Sequence, residues 1–350
     1  MECLPTVSRR GFIASASMAS AAAALGMVQG TECGGSPVKF MLFADLHCYD
    51  AYPNGDLSFI DEIIRQAKAQ GCEFMVHLGD FVHNVKDPMQ RECVRRYNEC
   101  GIPAYHVMGN HDMDMTSYLE VVKAFKMPDA HYYFDRGGFR FIALDANYAR
   151  TADGQYLHFE RGHPSWKVKP GEVNDWIPPW QVAWLEKTIA QSAFPCILMA
   201  HHSFERPPSL SGVQNGEEIR RVIDEANRRK PGSVRMVLNG HHHIDNLRIL
   251  ENVLYWDVNS ASYMIYGRKH DKYPADYVKK HYMASSCLAW DAPLYAIVTL
   301  WPNGRVKICG TKANWRFGVT PEQAGLPRYG RDGRPVCPKI QSADLLLEYV

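Results

Sequence analysis

Read for its apolar and polar positions, the chain alternates between two rhythms. Short apolar runs at residues 38–44, 74–78, 104–108, 139–144, 196–200 and 234–238 read as buried strands. Helical patterns lie between them. Leu57, Ile60, Ile63, Ile64 and Ala67 share one helix face, and Gly71 follows just past its end. Residues 87–100, 179–191 and 217–229 also read as helices, the second with Pro near its start. Strand and helix in alternation predict a doubly wound α/β unit. Beyond residue 238 the pattern turns β-rich, with runs at 246–250, 253–258 and 294–301. The last turns at Pro302-Asn303-Gly304 into 305–309, a hairpin signal.

Two stretches break the rhythm. Residues 147–177 are long for a connection, and their aromatics (Tyr148, Tyr156, Phe159, Trp166, Trp176) argue for an ordered insertion, expected to be a substrate lid. Residues 312–350 are rich in Pro and Gly and are expected to pack as a tail on the domain. The first thirty residues stand apart. Arg9-Arg10 precede Phe12-Ile13 and an Ala/Ser-rich apolar run with small residues beyond it. That layout is an export signal, and the arginine pair resembles the twin-arginine type. The run from 12 to 28 falls short of the ~20 apolar residues of a membrane span, which counts against a retained anchor. The expectation is an exported protein, periplasmic or extracellular, with no stable membrane partner beyond the export machinery.

Composition narrows the class. The chain has 350 residues, 46% hydrophobic and 22% charged, enough to give residues 37–311 a substantial core as one domain. Lys and Arg number 39 and Asp and Glu 38; without Arg9, Arg10 and Glu2 the remainder is formally neutral. No basic field argues for nucleic acid, and none is expected as a partner. There is no Cys-x-x-Cys pair, so a cysteine zinc site is not indicated, and buried thiols are the simpler reading of the cysteines.

The chemistry sits where the apolar runs end. Asp45 and His47 follow the first run, Asp80 the second, Asn110 and His111 the third, His201 a later one, and His241 and His243 the last. In open α/β sheets the carboxyl ends of the strands are where ligands bind. Each fragment alone is commonplace; several in order at strand ends are not. In Gly240-His241-His242-His243, extended backbone would put His241 and His243 on one face and turn His242 away. Carboxylate and imidazole donors without thiolate suit two divalent ions such as Mn, Fe, Zn or Co. A carboxylate can bridge ions ~3.5–4 Å apart, and Asp80 is the candidate. Such a pair binds a phosphate ester and makes hydroxide from water near neutral pH.

Asp45-x-His47, Gly79-Asp80, Gly109-Asn110-His111-Asp112, His201 and Gly240-His241-x-His243 together resemble the calcineurin-like metallophosphoesterases. The resemblance implies a four-layer αββα sandwich of the metallo-dependent phosphatase type. It implies that Asp45, His47 and His243 hold one ion and Asn110, His201 and His241 the other, with Asp80 bridging. His111 is implied as the catalytic acid, with Asp112 as its neighbour and His202 as an alternative ligand. His242 is expected to be a bystander or an outer group. Family members often carry Asp three residues after the bridging Asp to steady the catalytic His, and the purple acid phosphatases carry a metal-binding Tyr there. This chain has His83, followed by Asn84, so purple colour is not expected and the partner of His111 is left open. His83 and Asn84 are expected behind the ligands or against substrate.

The implied activity is hydrolysis of a small phosphate ester by a metal-bridging hydroxide, with the diester branch favoured by Asn-His-Asp and the missing Tyr. A monoesterase on the same metal core is the alternative. A non-catalytic binding protein would have lost a ligand or His111, and none is missing.

Overall fold

The computed structural model describes residues 36–159 and 173–349. The arginine pair and the apolar run after it lie outside the described residues, as does Trp166 of the insertion.

The strands in chain order are β1 (Val38–Phe43), β2 (Phe74–His77), β3 (Ala104–His106), β4 (Tyr132–Arg136), β5 (Phe139–Leu144), β6 (Tyr148–Arg150), β7 (Tyr156–His158) and β8 (Val173–Trp176). They continue with β9 (Cys196–Ala200), β10 (Val234–Asn239), β11 (Asn246–Leu250), β12 (Val253–Asp257), β13 (Tyr263–Ile265), β14 (Cys287–Ala289), β15 (Ala296–Leu300), β16 (Arg305–Gly310) and β17 (Ala343–Leu346). The helices include α1 (Ser58–Ala69), α2 (Pro88–Asn98), α3 (Tyr118–Ala124), α4 (Pro179–Ala190) and α5 (Gly216–Arg229). Two six-stranded sheets form, in the orders β17-β16-β15-β1-β2-β3 and β11-β12-β10-β9-β5-β4. The fold is the mixed α/β sandwich expected for a metallo-dependent phosphatase. The doubly wound reading is refined: the parallel strands β1, β2, β3 and β5, β9, β10 belong to different sheets.

Alternation along the strands of the second sheet explains the layering. Phe139, Phe141 and Ala143 of β5, Ile197 and Met199 of β9, and Met236 and Leu238 of β10 join the core between the sheets. Their neighbours Ile142, Leu144, Cys196, Leu198, Ala200 and Val237 face the other way, into a second core with Leu185 of α4 and Ile219 and Ile223 of α5. Strands buried on both faces show no polar alternation, which is why they read as continuous apolar runs. Phe141 reaches across to Phe40 and Phe74 of the first sheet, with ring centroids 5.5 and 5.2 Å apart. Helix α2 starts where Asp87 accepts from the backbone N–H groups of Met89 and Gln90, with Pro88 in its first turn.

The insertion holds its own small sheet, β7-β6-β8. The tail does more than pack on the domain, because β17 pairs antiparallel with β16 and extends the first sheet. Cys48, Cys72, Cys93, Cys100, Cys196 and Cys287 are buried thiols. Among the described residues no helix is long and apolar enough to cross a membrane.

Candidate metal centre

Both sheets feed the site. Asp45 and His47 follow β1 and Asp80 follows β2, from the first sheet; His201 follows β9, and His241 and His243 follow β10, from the second. Asp45, His47, Asp80, His241 and His243 all have left-handed backbones, with φ of 51°, 48°, 60°, 70° and 53°. That conformation is uncommon for residues other than Gly and gathers at functional sites, where the surrounding fold holds the strain. It also corrects the strand-alternation argument for His241 and His243. Strand β10 ends at Asn239, and both histidines sit in the bend that follows.

Two glycines let these turns close together. A Cβ on Gly109 would lie 2.2 Å from Asp80 Oδ1, and one on Gly240 would lie 2.8 Å from Asp45 Oδ2. The Asp45 carboxylate also accepts the backbone N–H of His241 at 3.0 Å, tying the two sheets at this point.

The side chains form two sets of three donors, Asp45 with His47 and His243, and Asp80 with His201 and His241, each set's ligand atoms within 4.8 Å of one another. In the first set His47 Nε2 and His243 Nε2 stand 3.2 Å apart, and Asp45 Oδ1 is 3.3 Å from His243 Nε2. In the second, His201 Nε2 is 3.1 Å from Asp80 Oδ2 and 3.2 Å from His241 Nδ1. Asp80 Oδ2 lies 3.8 Å from His47 Nε2 as well, and Asp45 Oδ1 lies 3.9 Å from His201 Nε2, so carboxylate oxygens of both sets face the gap between them, Asp80 the nearer to a nitrogen of its neighbouring set.

The donor chemistry fits divalent cations. His243 Nδ1 donates to the Tyr263 carbonyl at 2.6 Å, which aims Nε2 into the set as the ligand atom. Burial holds His47 and His241 well below the usual histidine range, so they are neutral. Lone pairs thus converge on one another and on buried carboxylates, which is costly unless a cation lies among them. His201 shows the same demand differently. Burial opposes its charge, yet the Asp80 carboxylate beside it lifts it to about 10, so a proton sits where a cation would. Asn110 Oδ1 is buried with no hydrogen-bond partner, as suits an oxygen available as a ligand.

Other expected residues fall elsewhere. Asp112 does not partner His111. It is wholly buried and accepts from the backbone N–H groups of Asp80, Phe81, Val82 and Gly109 and from His106, so it shapes the loops that carry the ligands. Asn84 is likewise a turn residue, its side chain accepting from the Lys86 N–H ahead of α2. His202 lies outside both sets, its Nε2 3.5 Å from Asp175. His242 is set beside the ion cluster of Asp257 and Arg206. His83 stands directly behind the first set, its Nε2 3.0 Å from His47 Nδ1.

Two carboxylates, Asp114 and Asp175, went unnoticed in the sequence, and a third, Asp145, reads there only as a core or strand-edge residue. Asp114 accepts from His111 Nδ1 at 2.8 Å. The signal was present, because residues three apart in the 3-10 turn after Asn110 share a side. Asp145 accepts from His158 at 2.7 Å, fastening β7 to the end of β5. Asp175, from β8, faces His202. No local pattern marks either of these.

The family model for calcineurin-like phosphoesterases matches residues 38–245. The chain belongs to the calcineurin-like phosphoesterase family. The chemistry that goes with this family is metal-dependent hydrolysis of phosphate esters. Over 153 residues the chain is 29% identical to a probable cyclic nucleotide phosphodiesterase of Synechococcus sp., a match covering 41% of this chain and 48% of the relative. The chain thus spans about half the length of that curated relative. A dimetal phosphatase from Danio rerio shares the fold, with a TM-score of 0.56 and 14% identity over 89% of this chain and 99% of that one. So does GAP50, the anchor in the inner membrane complex of Plasmodium, with a TM-score of 0.50 and 13% identity over 89% of each chain. A phosphoesterase fold is therefore carried by an enzyme and by an anchor, and the side chains at the site have to decide between them.

Proposed function

We propose that this calcineurin-like phosphoesterase is an exported hydrolase of phosphate esters that works with two divalent ions and prefers diesters. The observation that carries the reading is Asp80 Oδ2, within reach of the ligand nitrogens of both donor sets. A bystander carboxylate would not need that position. The name of the cyanobacterial relative supports the diester preference, and so does the rim. Beside His83 lie Tyr49, whose ring is 5.0 Å away, then Tyr282, and Met115, with Tyr282 and Met115 exposed. Uncharged side chains such as these suit a second organic group, whereas a dianionic monoester favours further cationic donors.

Bound at the two sets, the ions supply positive charge that polarises the phosphate oxygens and lowers the pKa of water. The chain's own residues do the rest. Asp45, His47 and His243 would hold one ion; His201, His241 and Asn110 the other; Asp80 both. His111 is the open histidine of the site. Its backbone N–H donates to Asp80 Oδ1 at 2.7 Å, and its Nδ1–H is held by Asp114. That leaves Nε2 to give its proton to the departing ester oxygen. The insertion, its described part fastened through His158 and Asp145, would serve as the lid over substrate. Export in the folded, metal-loaded state suits a twin-arginine route.

The test strips the protein of metal and reloads it singly with Mn, Zn, Fe or Co. Hydrolysis of bis-nitrophenyl phosphate is compared with that of nitrophenyl phosphate, with Asn110→Ala as the blank. The diester is expected to react faster. A faster monoester overturns the diester preference, and no hydrolysis by protein holding two ions overturns the enzyme reading. Cell fractionation of Arg9→Lys/Arg10→Lys is expected to show loss of export; unchanged export would overturn the twin-arginine route.

A further inference from the structure

His83 occupies the position where related enzymes often place an aspartate, and the chain compensates from another segment. A single oxygen, Asp114 Oδ2, lies 2.6 Å from His83 Nδ1 and 2.8 Å from His111 Nδ1. We propose that Asp114 is a positioning residue with two targets: it aims His111 at the leaving group and, through His83, sets the tautomer of the metal ligand His47. This rests on the two-metal reading above, and deepens it.

The proton positions follow one from another. A carboxylate only accepts, so both Nδ1 atoms carry hydrogen. With the His83 proton on Nδ1 against Asp114, a singly protonated ring turns the lone pair of Nε2 to its other side. That lone pair faces His47 Nδ1 at 3.0 Å, so His47 Nδ1 must be the donor. His47 Nε2 is then the lone pair directed at His243 and Asp45. In the opposite tautomer His83 would donate to His47, and His47 would direct N–H into the donor set and repel an ion. Outer partners that fix a ligand's tautomer in this way raise its affinity for metal.

The ring of His83 is held against flipping. Its backbone N–H donates to Gln90 Oε1 at 2.7 Å and its carbonyl accepts from Met115 at 3.1 Å. Tyr52 stacks over the ring at 5.2 Å, and the His83 side chain is buried. His83, His111 and Asp114 are close enough to hold a third ion. Their spacings through one shared oxygen are those of N–H···O hydrogen bonds, so protons fill that space.

The experiment titrates metal-free protein with Mn²⁺ by calorimetry and measures turnover across nitrophenyl and alkyl diesters. Asp114→Ala and His83→Ala are both expected to weaken one of two Mn²⁺ ions by roughly 10- to 100-fold and leave the other unchanged. Only Asp114→Ala should also steepen the dependence on leaving group, as His111→Ala does, because His83 has no part in aiming His111. A merely structural role would change both ions or neither and would leave the leaving-group dependence alone. Both variants binding both ions as wild type does would overturn the relay, and so would a third ion in wild type. Fewer than two ions in wild type would instead overturn the two-metal reading beneath it. If Asp114→Ala fails to fold, judged by circular dichroism, Asp114→Asn carries the same comparison. It keeps an acceptor without the charge and should weaken the same ion.

Discussion

Gly240 stands where one carbon would cost the site its geometry. Its missing Cβ leaves room for Asp45 Oδ2, which lies where an alanine methyl would be 2.8 Å away. Gly240→Ala should displace the carboxylate and weaken the first ion by at least the roughly tenfold seen for outer-partner changes, read by metal titration. Secondary structure should persist in circular dichroism. The same scale explains why Asp112 misleads. It follows His111 in sequence, yet its carboxylate turns into the protein and gathers four backbone N–H groups, while Asp114, two residues on, reaches His111. In a tight 3-10 turn adjacent residues point apart and residues three apart point together.

At the scale of elements, the aromatic contacts between the sheets hold the strand ends in line. Phe141 of β5 packs against Phe40, Phe74 and Phe134, with centroids 5.5, 5.2 and 5.0 Å away. Phe141→Ala should cost about 3–5 kcal/mol in denaturant unfolding. It lies well before the ligand turns, so metal stoichiometry of the folded fraction should be unchanged; loss of an ion would show that sheet spacing is more delicate than this packing implies. The helices were legible because Leu57, Ile60, Ile63 and Ala67 repeat on one face. Strands β6, β7, β8 and β17 were not, since short segments with little apolar pattern take their structure from a neighbour.

Across the whole molecule, Asp257 at the end of β12 links distant parts. Arg206 and Arg248 both donate to its Oδ2 at 3.0 Å, and Arg206 also reaches Asp332 in the tail at 2.7 Å. Burial pushes the Asp257 carboxyl up, but Arg248, His242 and Arg206 outweigh it and hold it below the usual range. A carboxyl depressed by folding stabilises the folded state above its unfolded pKa of about 3.9, and that contribution is lost as pH falls through the folded value. Stability of the wild type should therefore fall below about pH 4. In Asp257→Asn the acid limb should be shallower and the neutral-pH stability lower, because two largely buried guanidinium groups each lose one of their two carboxylates, keeping Asp332 and Glu205. Equal slopes in acid unfolding would show that other carboxylates dominate.

The sequence by itself determined the inventory: which residue types stand at the strand ends, in what order, and hence the family. Apolar runs and helical faces are local signals set by burial, and they survive without knowledge of partners. The resemblance implied that His241 and His243 serve different ions, but only the tertiary structure shows how: left-handed backbone in the bend after β10 sends them to different donor sets, joined by strand ends from two sheets. The partner of His111, and the proton relay behind His47, depend on rings from separate loops meeting within 3.0 Å. Hydrogen bonds between distant segments leave no periodic trace in a sequence, because nothing local requires them.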